Sequence, residues 1–382
     1  MRWCARCITP DTRPNVTLDR EGVCNACRAH DTKPAIDWTR RHEAFRDVVN
    51  HAKIRDARYD CVIPVSGGKD STWQAVTCLK HGLHPLAVTW KPPRRTTLGE
   101  QNLQNLIRLG VDHIDFTINP RVERIFMREA LQAYGSTAIP MHLALFNIPL
   151  TIAARLEIPL VVWGENSAFE YGGAEDDRQG FRMDRAWLRR YGVTQGTTAD
   201  NWIGKGGLTR QDLAPYFGPG DEEMHKAGVL AVFLGYYFPW DPETSFRTAS
   251  AHGFRAREEG PKTGWYNYAD IDDDFISIHH YLKWYKFGFT RTFDNLSIEI
   301  RNGRLTRGEA IAHIRRRGDE TPRSDIDSFC DFAGLTQEAF FEIIERFRNR
   351  NIWTQEDGVW KIRDFLISDW RWDARTPERA AA

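Results

Sequence analysis

A short run of small and charged residues, SGGKDS at positions 66–71, has the composition of a phosphate-binding turn. Glycine has no Cβ, so two successive glycines let the backbone turn tightly and approach an anion closely. Serine hydroxyls and the first amides of a following helix supply hydrogen-bond donors to that anion. The run is not a Walker A loop, because an aspartate follows the lysine, and its spacing excludes GxGxxG. The candidate phosphate-binding residues are Ser66, Gly67, Gly68, Lys69, Asp70 and Ser71.

Four cysteines near the start of the chain have the spacing of a metal site. They form two CxxC pairs separated by sixteen residues, and each pair can offer two thiolates to one tetrahedral ion. A closed four-thiolate site leaves no position for a substrate, so we expect a Zn²⁺ ribbon that supports folding and not catalysis. An iron–sulfur cluster and four unrelated thiols are the alternatives. The predicted ligands are Cys4, Cys7, Cys24 and Cys27.

The elements that would position these residues follow from hydrophobic periodicity. After residue 38, short apolar runs alternate with longer amphipathic ones, which is typical of β-α-β units around a parallel sheet. Ligands bind beyond the carboxyl ends of such strands, where the run 66–71 would lie. A Gly-rich, charged insertion from about 170 to 226 is expected to be loop and short helix. The predicted strands are 60–65, 84–90, 112–118, 158–164 and 229–237, and the predicted helices are 70–82, 98–109, 120–134 and 141–156.

The composition of the chain limits the number of domains and the kinds of partner that we expect. The 382 residues are 41% hydrophobic and 27% charged, enough for a sizeable core and two or three domains. We predict a ribbon at 1–33, an α/β domain at 34–238 and a mainly helical region at 239–382 with a frayed end at 374–382. Because 52 basic residues balance 52 acidic ones, nucleic acid is not expected as a partner. Polar residues and prolines interrupt the most apolar stretch, so no transmembrane segment is expected and the predicted location is cytoplasmic.

The run 66–71 resembles the pyrophosphate loop (PP-loop), S-G-G-x-D-S, of the ATP pyrophosphatase superfamily, which includes asparagine synthetase, GMP synthetase and tRNA thiolation enzymes. The resemblance implies an α/β fold with a parallel sheet of the adenine nucleotide alpha hydrolase-like type. It also implies that ATP is cleaved between its α and β phosphates, with Asp70 holding Mg²⁺ against the pyrophosphate. By the same resemblance, Thr89, Trp90 and Gly164 are expected near the nucleotide.

Longer stretches of the sequence resemble one particular family within this superfamily. The cysteine-rich start, GENSAFEYGG at 164–173 and the run from YADIDDDF to RGEAI at 268–311 resemble the N-acetyl sugar amidotransferases of bacterial surface-polysaccharide synthesis. That family implies an acetamido (or carboxyl) sugar substrate, nucleotide- or lipid-linked, and ammonia from a separate glutaminase. A built-in class II glutaminase would need cysteine directly after the initiator methionine, and the chain has Arg2 there. We therefore expect a glutaminase partner.

Several polar residues are candidates for the chemistry. Lys69 could stabilise charge on the phosphates or be a solvated residue at the variable position of the loop. Glu165, with Asn166 beside it, follows the fourth strand, so it is a predicted active-site residue, with loop capping as the alternative. The acidic residues Asp270, Asp272, Asp273 and Asp274 could bind a metal, orient ammonia or stabilise a helix dipole. Sequence alone does not choose among Arg291, Arg301 and Arg307.

The main alternative function is a tRNA sulfurtransferase, which also joins a zinc ribbon to a pyrophosphate loop. Thiolation needs a sulfur carrier or a cluster. After the ribbon, the chain has only Cys61, Cys78 and Cys330, without a second CxxC. The first two are expected to pack as small hydrophobic residues, so the amidotransferase interpretation is favoured.

Overall fold

A computed structural model of the chain describes residues 1–368 and residue 370. At its centre lies a five-stranded parallel sheet in the order β3-β2-β1-β4-β5. Cys61 of the central strand pairs with Pro85 on one side and with Leu160 on the other. The chain therefore reverses direction across the sheet between β1 and β4, which opens a crevice at their carboxyl ends. The strands are β1 (Cys61–Pro64), β2 (Pro85–Trp90), β3 (Asp112–Phe116), β4 (Leu160–Trp163) and β5 (Leu230–Phe233).

Helices cover both faces of the sheet and continue beyond it. Alternate residues of the central strand face opposite cores: Val62 contributes to a cluster with Phe126, and Ile63 to a cluster with Phe45. Because both faces are buried there, β1, β2, β4 and β5 have largely apolar sequences, whereas the edge strand β3 is partly exposed and carries polar residues. The α-helices are α1 (Asn25–Asp31), α2 (Trp38–Ile54), α3 (Lys69–Lys80), α4 (Thr97–Ile107), α5 (Pro120–Tyr134), α6 (Ala138–Arg155), α7 (Ser167–Tyr171), α8 (Glu175–Gln179), α9 (Arg185–Tyr191), α10 (Asp221–Lys226), α11 (Leu234–Tyr237), α12 (Pro242–Ser250), α13 (Ile276–Phe287), α14 (Arg291–Arg301), α15 (Arg307–Arg317), α16 (Arg323–Ala333) and α17 (Gln337–Glu345).

The predicted α/β fold is confirmed, with shifts of a few residues at the element ends. The prediction of a strand over 229–237 was wrong in its second half, because Leu234–Tyr237 forms a turn of helix directly after β5. A short antiparallel hairpin, β6 (Trp353–Glu356) and β7 (Val359–Ile362), was not predicted. The insertion is loop and short helix, as expected. The predicted frayed end, 374–382, lies outside the described residues.

Within the described residues, α6 is the one helix long and apolar enough to cross a membrane by length and composition. In the fold it is a core helix, since 56% of its apolar window is buried. Ala144 and Ile148 of this helix pack in the same cluster as Val62 of the central strand. The high hydropathy of α6 is therefore explained by its packing against the sheet.

The cysteine-rich start contacts the C-terminal helical region, although the two are far apart in sequence. The Thr9 hydroxyl donates to the Ser297 hydroxyl of α14 at 3.0 Å, and the Trp3 indole donates to the Asp364 carbonyl at 2.9 Å. Arg307 donates to the Cys7 carbonyl at 3.1 Å. The ribbon thus packs against the helices that follow the sheet. The domain boundaries at 33/34 and 238/239 stay a prediction.

Candidate active site

The turn after β1 is built around one glycine that no other residue could replace without strain. Gly67 has φ +86°, and a Cβ there would lie 2.5 Å from the backbone nitrogen of Leu103 in α4. The next residue, Gly68, caps α3, and its amide donates to the Ser66 hydroxyl at 3.3 Å. Ser71 donates to the Gly68 carbonyl at 3.0 Å. The loop thus presents the amino end of a twelve-residue helix at the carboxyl edge of the sheet, a placement suited to an anion.

Lys69 and Asp70 are held together at this helix end. The Lys69 ammonium is 2.5 Å from one Asp70 carboxylate oxygen, and the Trp240 indole donates to the other at 3.0 Å. Lys69 is only 6% exposed, and its ammonium lies 6.0 Å from the centre of the Tyr268 ring. Aromatic residues from beyond the sheet therefore enclose the loop. Asp70 keeps hard carboxylate oxygens of the type that Mg²⁺ prefers, so it fits the expected metal role.

Glu165 reaches the same crevice from the end of β4. Burial, and then the nearby charge of Asp70, raise its pKa to about 7. Lys69 and Arg291 act in the opposite direction by favouring the carboxylate. The neighbouring Gly164 is buried, and its carbonyl accepts from the Gly235 amide at 2.9 Å. A carboxyl group that titrates near neutrality beside a phosphate loop can take up or release a proton during a reaction.

Asn166 has the loop-capping role that was the alternative for this pair. It is buried, and its side-chain oxygen accepts from the Ala168 amide at 3.0 Å at the start of α7. Its side-chain nitrogen donates to the Asp177 carbonyl at 2.9 Å. These bonds use the amide group to hold the loop after β4. Asn166 thus helps to position the loop that carries Glu165.

The acidic run before α13 divides into two pairs. Burial opposes ionisation of Asp270, but the charges of Arg291 and His280 outweigh it and lower its pKa to about 2. Burial raises the pKa of Asp272 to about 6, and its carboxylate receives a hydrogen bond from Ser66 of the loop. These two carboxyl groups therefore belong to the crevice. The other two carboxylates have different partners. Asp273 accepts a hydrogen bond from the Phe275 amide at 3.1 Å, and Asp274 forms an ion pair with Lys262 at 2.6 Å.

The structure also separates the three arginines that sequence could not rank. Arg291 lies in the crevice, where its Nε is 3.2 Å from an Asp270 oxygen and its guanidinium is 5.7 Å from the centre of the Tyr171 ring. Arg301 donates to the Glu170 carbonyl at 2.9 Å, and Arg307 donates to a ribbon carbonyl. Only Arg291 of the three is placed to meet a substrate.

A buried carboxylate, Asp294, fixes the cations around Arg291. Its oxygens lie 2.7 Å from Arg13, 3.5 Å from Lys283 and 3.8 Å from Arg291. Burial opposes its ionisation, but the charge of Arg13 and then those of the other two cations hold its pKa well below its usual range. Arg13 also donates to the Tyr171 carbonyl at 3.1 Å. Sequence reasoning missed Arg13, Asp294 and Trp240, because no local pattern marks residues whose partners are so distant in sequence.

Thr89 and Trp90, expected near the nucleotide, are buried at the end of β2. The Thr89 hydroxyl is hydrogen-bonded to the His113 ring at 2.9 Å, and the Trp90 indole donates to Glu123 at 2.8 Å. Burial raises the pKa of Glu123 to about 8. Their polar side-chain atoms are therefore used inside the fold, and their contact with a nucleotide stays a prediction.

The four predicted metal ligands come together, with their sulfur atoms within 4.8 Å of one another. The Cys4–Cys27 and Cys7–Cys24 sulfur distances are 3.9 and 3.7 Å, close to the roughly 3.8 Å edge of a tetrahedral zinc–thiolate site. The Cys24 thiol, followed by that of Cys27, lowers the pKa of Cys4 to about 6 by hydrogen bonding. Backbone amides donate to the sulfurs, as from Cys24 to Cys4 at 3.2 Å. The four thiols could hold one zinc ion.

The sheet order and the position of the loop can be compared with those of known α/β proteins. A five-stranded parallel sheet carries SGGKDS at the turn between β1 and α3, next to the point where strand order reverses. This arrangement resembles that of the PP-loop ATP pyrophosphatases.

Family comparison concerns the C-terminal part. Residues 262–366 match the family described as LPS biosynthesis protein WbpG-like, C-terminal domain. This stretch is similar to that family, and the match supports the resemblance to sugar amidotransferases. It also contains Asp270, Asp272 and Arg291 of the crevice. None of the curated proteins matches the chain.

Two solved structures are similar to the chain only at a coarse level. A predicted subunit of tRNA methyltransferase from Methanocaldococcus jannaschii shares 18% identity at a TM-score of 0.30, covering 61% of this chain and 91% of that one. NMN synthetase from Francisella tularensis shares 14% identity at a TM-score of 0.26, covering 57% of this chain and 93% of that one. At these scores neither carries a functional argument.

Proposed function

We propose that the protein is an AMP-forming amidotransferase of lipopolysaccharide biosynthesis. It would replace the oxygen of a sugar acetamido group, or of a carboxyl group, with nitrogen from ammonia. One observation carries the proposal: Asp270 and Arg291, from the stretch that matches an LPS biosynthesis family, lie in the same crevice as the phosphate loop and Glu165. The proposed site therefore combines a phosphate-binding turn with groups from the stretch that matches this family.

An amide carbon is a poor electrophile because its nitrogen donates electrons into the carbonyl. In the proposed reaction the acetamido oxygen attacks the α-phosphorus of ATP, and pyrophosphate leaves. Ammonia then adds to the activated carbon, and AMP departs with the former carbonyl oxygen. The nitrogen that has added loses a proton to a base. The products are the acetamidino sugar, AMP and pyrophosphate, so each atom is accounted for.

Each crevice residue has a role in this reaction. The amides at the start of α3 and the ammonium of Lys69 would bind the departing pyrophosphate, whose charge must be stabilised. Asp70 would hold Mg²⁺, which supplies further charge stabilisation. Arg291 is placed for the α-phosphate or the activated oxygen. Glu165, with a pKa of about 7, is the base for the proton lost by nitrogen.

Ammonia is proposed to come from a separate glutaminase. A thiol nucleophile needs a lowered pKa and access to substrate. Cys61, Cys78 and Cys330 are all buried. A hydrogen bond with Cys78, followed by burial, raises the pKa of Cys61, and burial raises that of Cys330 to about 11. The same observations disfavour the thiolation alternative, since no cysteine outside the ribbon is suited to carry sulfur. The reaction is placed in the cytoplasm, where ATP is available.

The test is a product analysis with purified protein, ATP, Mg²⁺, a high ammonium concentration and a panel of acetamido sugars. We expect sugar-dependent release of AMP and pyrophosphate, and a product in which NH replaces oxygen by mass spectrometry. The Asp70→Asn variant is the negative control. ADP in place of AMP would contradict the PP-loop assignment, and AMP formed only with tRNA and a sulfur donor would identify the thiolation enzyme.

A further inference from the structure

A cavity of about 280 Å³ lies beside the crevice, between α13, the loop 192–196 and the residues that follow the ribbon knuckle. Five cationic side chains line it, and no carboxylate is among the described residues of its wall. Positive charge concentrated around a cavity attracts an anion. The cations are Arg13, Lys283 and Lys286 from one side and Arg189 and Arg190 from the other.

Two of the cations are not neutralised within the fold. Arg13 and Lys283 share Asp294 behind the wall, and Arg190 pairs with Asp177 at 2.5 Å. Lys286, in contrast, donates only to the Tyr134 carbonyl, at 3.3 Å. Arg189 has no ion pair or hydrogen bond with any described residue and is exposed.

The position of the two lysines in the wall also lowers their pKa values. Burial lowers the pKa of Lys283 to about 8. Burial, and then the charge of Lys283, lower the pKa of Lys286 to about 8 as well. A bound anion would relieve both effects, since it supplies the negative charge that the wall lacks.

The cavity lies beside the proposed reaction centre, and Tyr171 connects the two. Ser167 and Tyr171, which line it, belong to α7, two and six residues after Glu165. The Tyr171 ring lies beside the Arg291 guanidinium, at 5.7 Å. Tyr171 therefore belongs to the cavity wall and also lies beside Arg291 of the crevice.

We propose that this cavity binds the diphosphate group of a glycosyl diphosphate substrate. The inference rests on the proposed function, because it assumes that a sugar occupies the crevice. Nucleotide-linked and lipid-linked sugars both carry a diphosphate, so the wall recognises their shared chemistry. A second cavity of about 300 Å³ shares Arg189 and Thr194 with the first and leaves room for the group beyond the diphosphate.

Binding can be measured without catalysis. Isothermal titration calorimetry of the full chain would use three probes: UDP, UDP-N-acetylglucosamine and a short-chain polyprenyl diphosphate N-acetylglucosamine. The variants are Lys286→Gln and Arg189→Gln, with Lys226→Gln on the exposed surface of α10 as the matched control. Each cavity variant should weaken binding about tenfold, the effect of one charged hydrogen bond, and the control should not. ATP binding should be unchanged in all three.

Each outcome bears on the cavity itself. Tight binding of only the UDP compounds, or only the lipid compound, supports the proposal and identifies the source of the diphosphate. Unchanged affinity in both cavity variants, or no binding of any probe while ATP binds, would overturn it. The proposed function is tested separately by AMP formation. A protein that binds diphosphates in this cavity but forms no AMP with any acetamido sugar would retain the cavity assignment and lose the proposed reaction.

Discussion

Substituting alanine for Gly67 should damage both the stability of the sheet and the use of ATP. The left-handed conformation at φ +86° costs a residue with a Cβ roughly 1–2 kcal/mol. The new Cβ would also lie 2.5 and 2.7 Å from the nitrogen and Cα of Leu103. These are backbone atoms of α4, so relief requires the helix to move, and overpacking of this kind costs about 1–3 kcal/mol. Together the two effects predict a loss of about 2–5 kcal/mol in the free energy of unfolding.

The adjacent glycine provides the matched control. Gly68 has φ −69°, and its Cβ would meet only the Ser66 hydroxyl at 3.2 Å, so Gly68→Ala should change stability by less than about 1 kcal/mol. Urea denaturation followed by circular dichroism measures both variants, and AMP release measures ATP use. We expect a reduced urea midpoint and loss of activity in Gly67→Ala. If Gly67→Ala unfolds at the same urea concentration as wild type, then the loop does not press against α4 as described.

Three further predictions concern the charges and the metal. Asp70→Asn should lower AMP formation by about 10²–10³-fold, since it removes the carboxylate proposed to hold Mg²⁺ at the phosphates; equal activity in both proteins would refute the role. Because the Glu165 pKa is raised from 4.5 to about 7, and a base works when deprotonated, the rate should rise as pH passes through 7. That rise should disappear in Glu165→Gln, and a profile identical to wild type would exclude Glu165 as the base. Metal analysis should give one zinc per chain, and Cys4→Ser or a strong chelator should lower the thermal midpoint; a metal-free protein of full stability would contradict the ribbon.

Sequence was sufficient where a local pattern determines local structure. The β1 strand and the turn after it follow from an apolar run, two glycines and the start of a helix, and the structure has each of them. The cysteine pairs could be recognised because their spacing alone defines a knuckle. The end of β5 could not be placed, because an apolar run such as VLAVFLGYY fits a buried strand and a buried turn of helix equally well.

The cation and carboxylate network of the crevice could not be predicted, because its partners are remote in the chain. Arg13 and Asp294 form a 2.7 Å ion pair across 281 residues, and Trp240 reaches Asp70 across 170. No spacing rule connects such positions. Arg291 could not be distinguished from Arg301 for the same reason, since the difference lies in what each contacts and not in the sequence around it.

Different regions of the chain supply different residues of the candidate site. The sheet supplies the loop 66–71 and Glu165, whereas Arg291 and Asp270 come from the region that matches the LPS biosynthesis family. The ribbon lies outside the crevice, yet Arg13 from the segment after its first knuckle holds Asp294 and the Tyr171 carbonyl. This segment therefore helps to hold Asp294 and Tyr171 in position beside Arg291. A metal with no catalytic ligand position can in this way be required for activity.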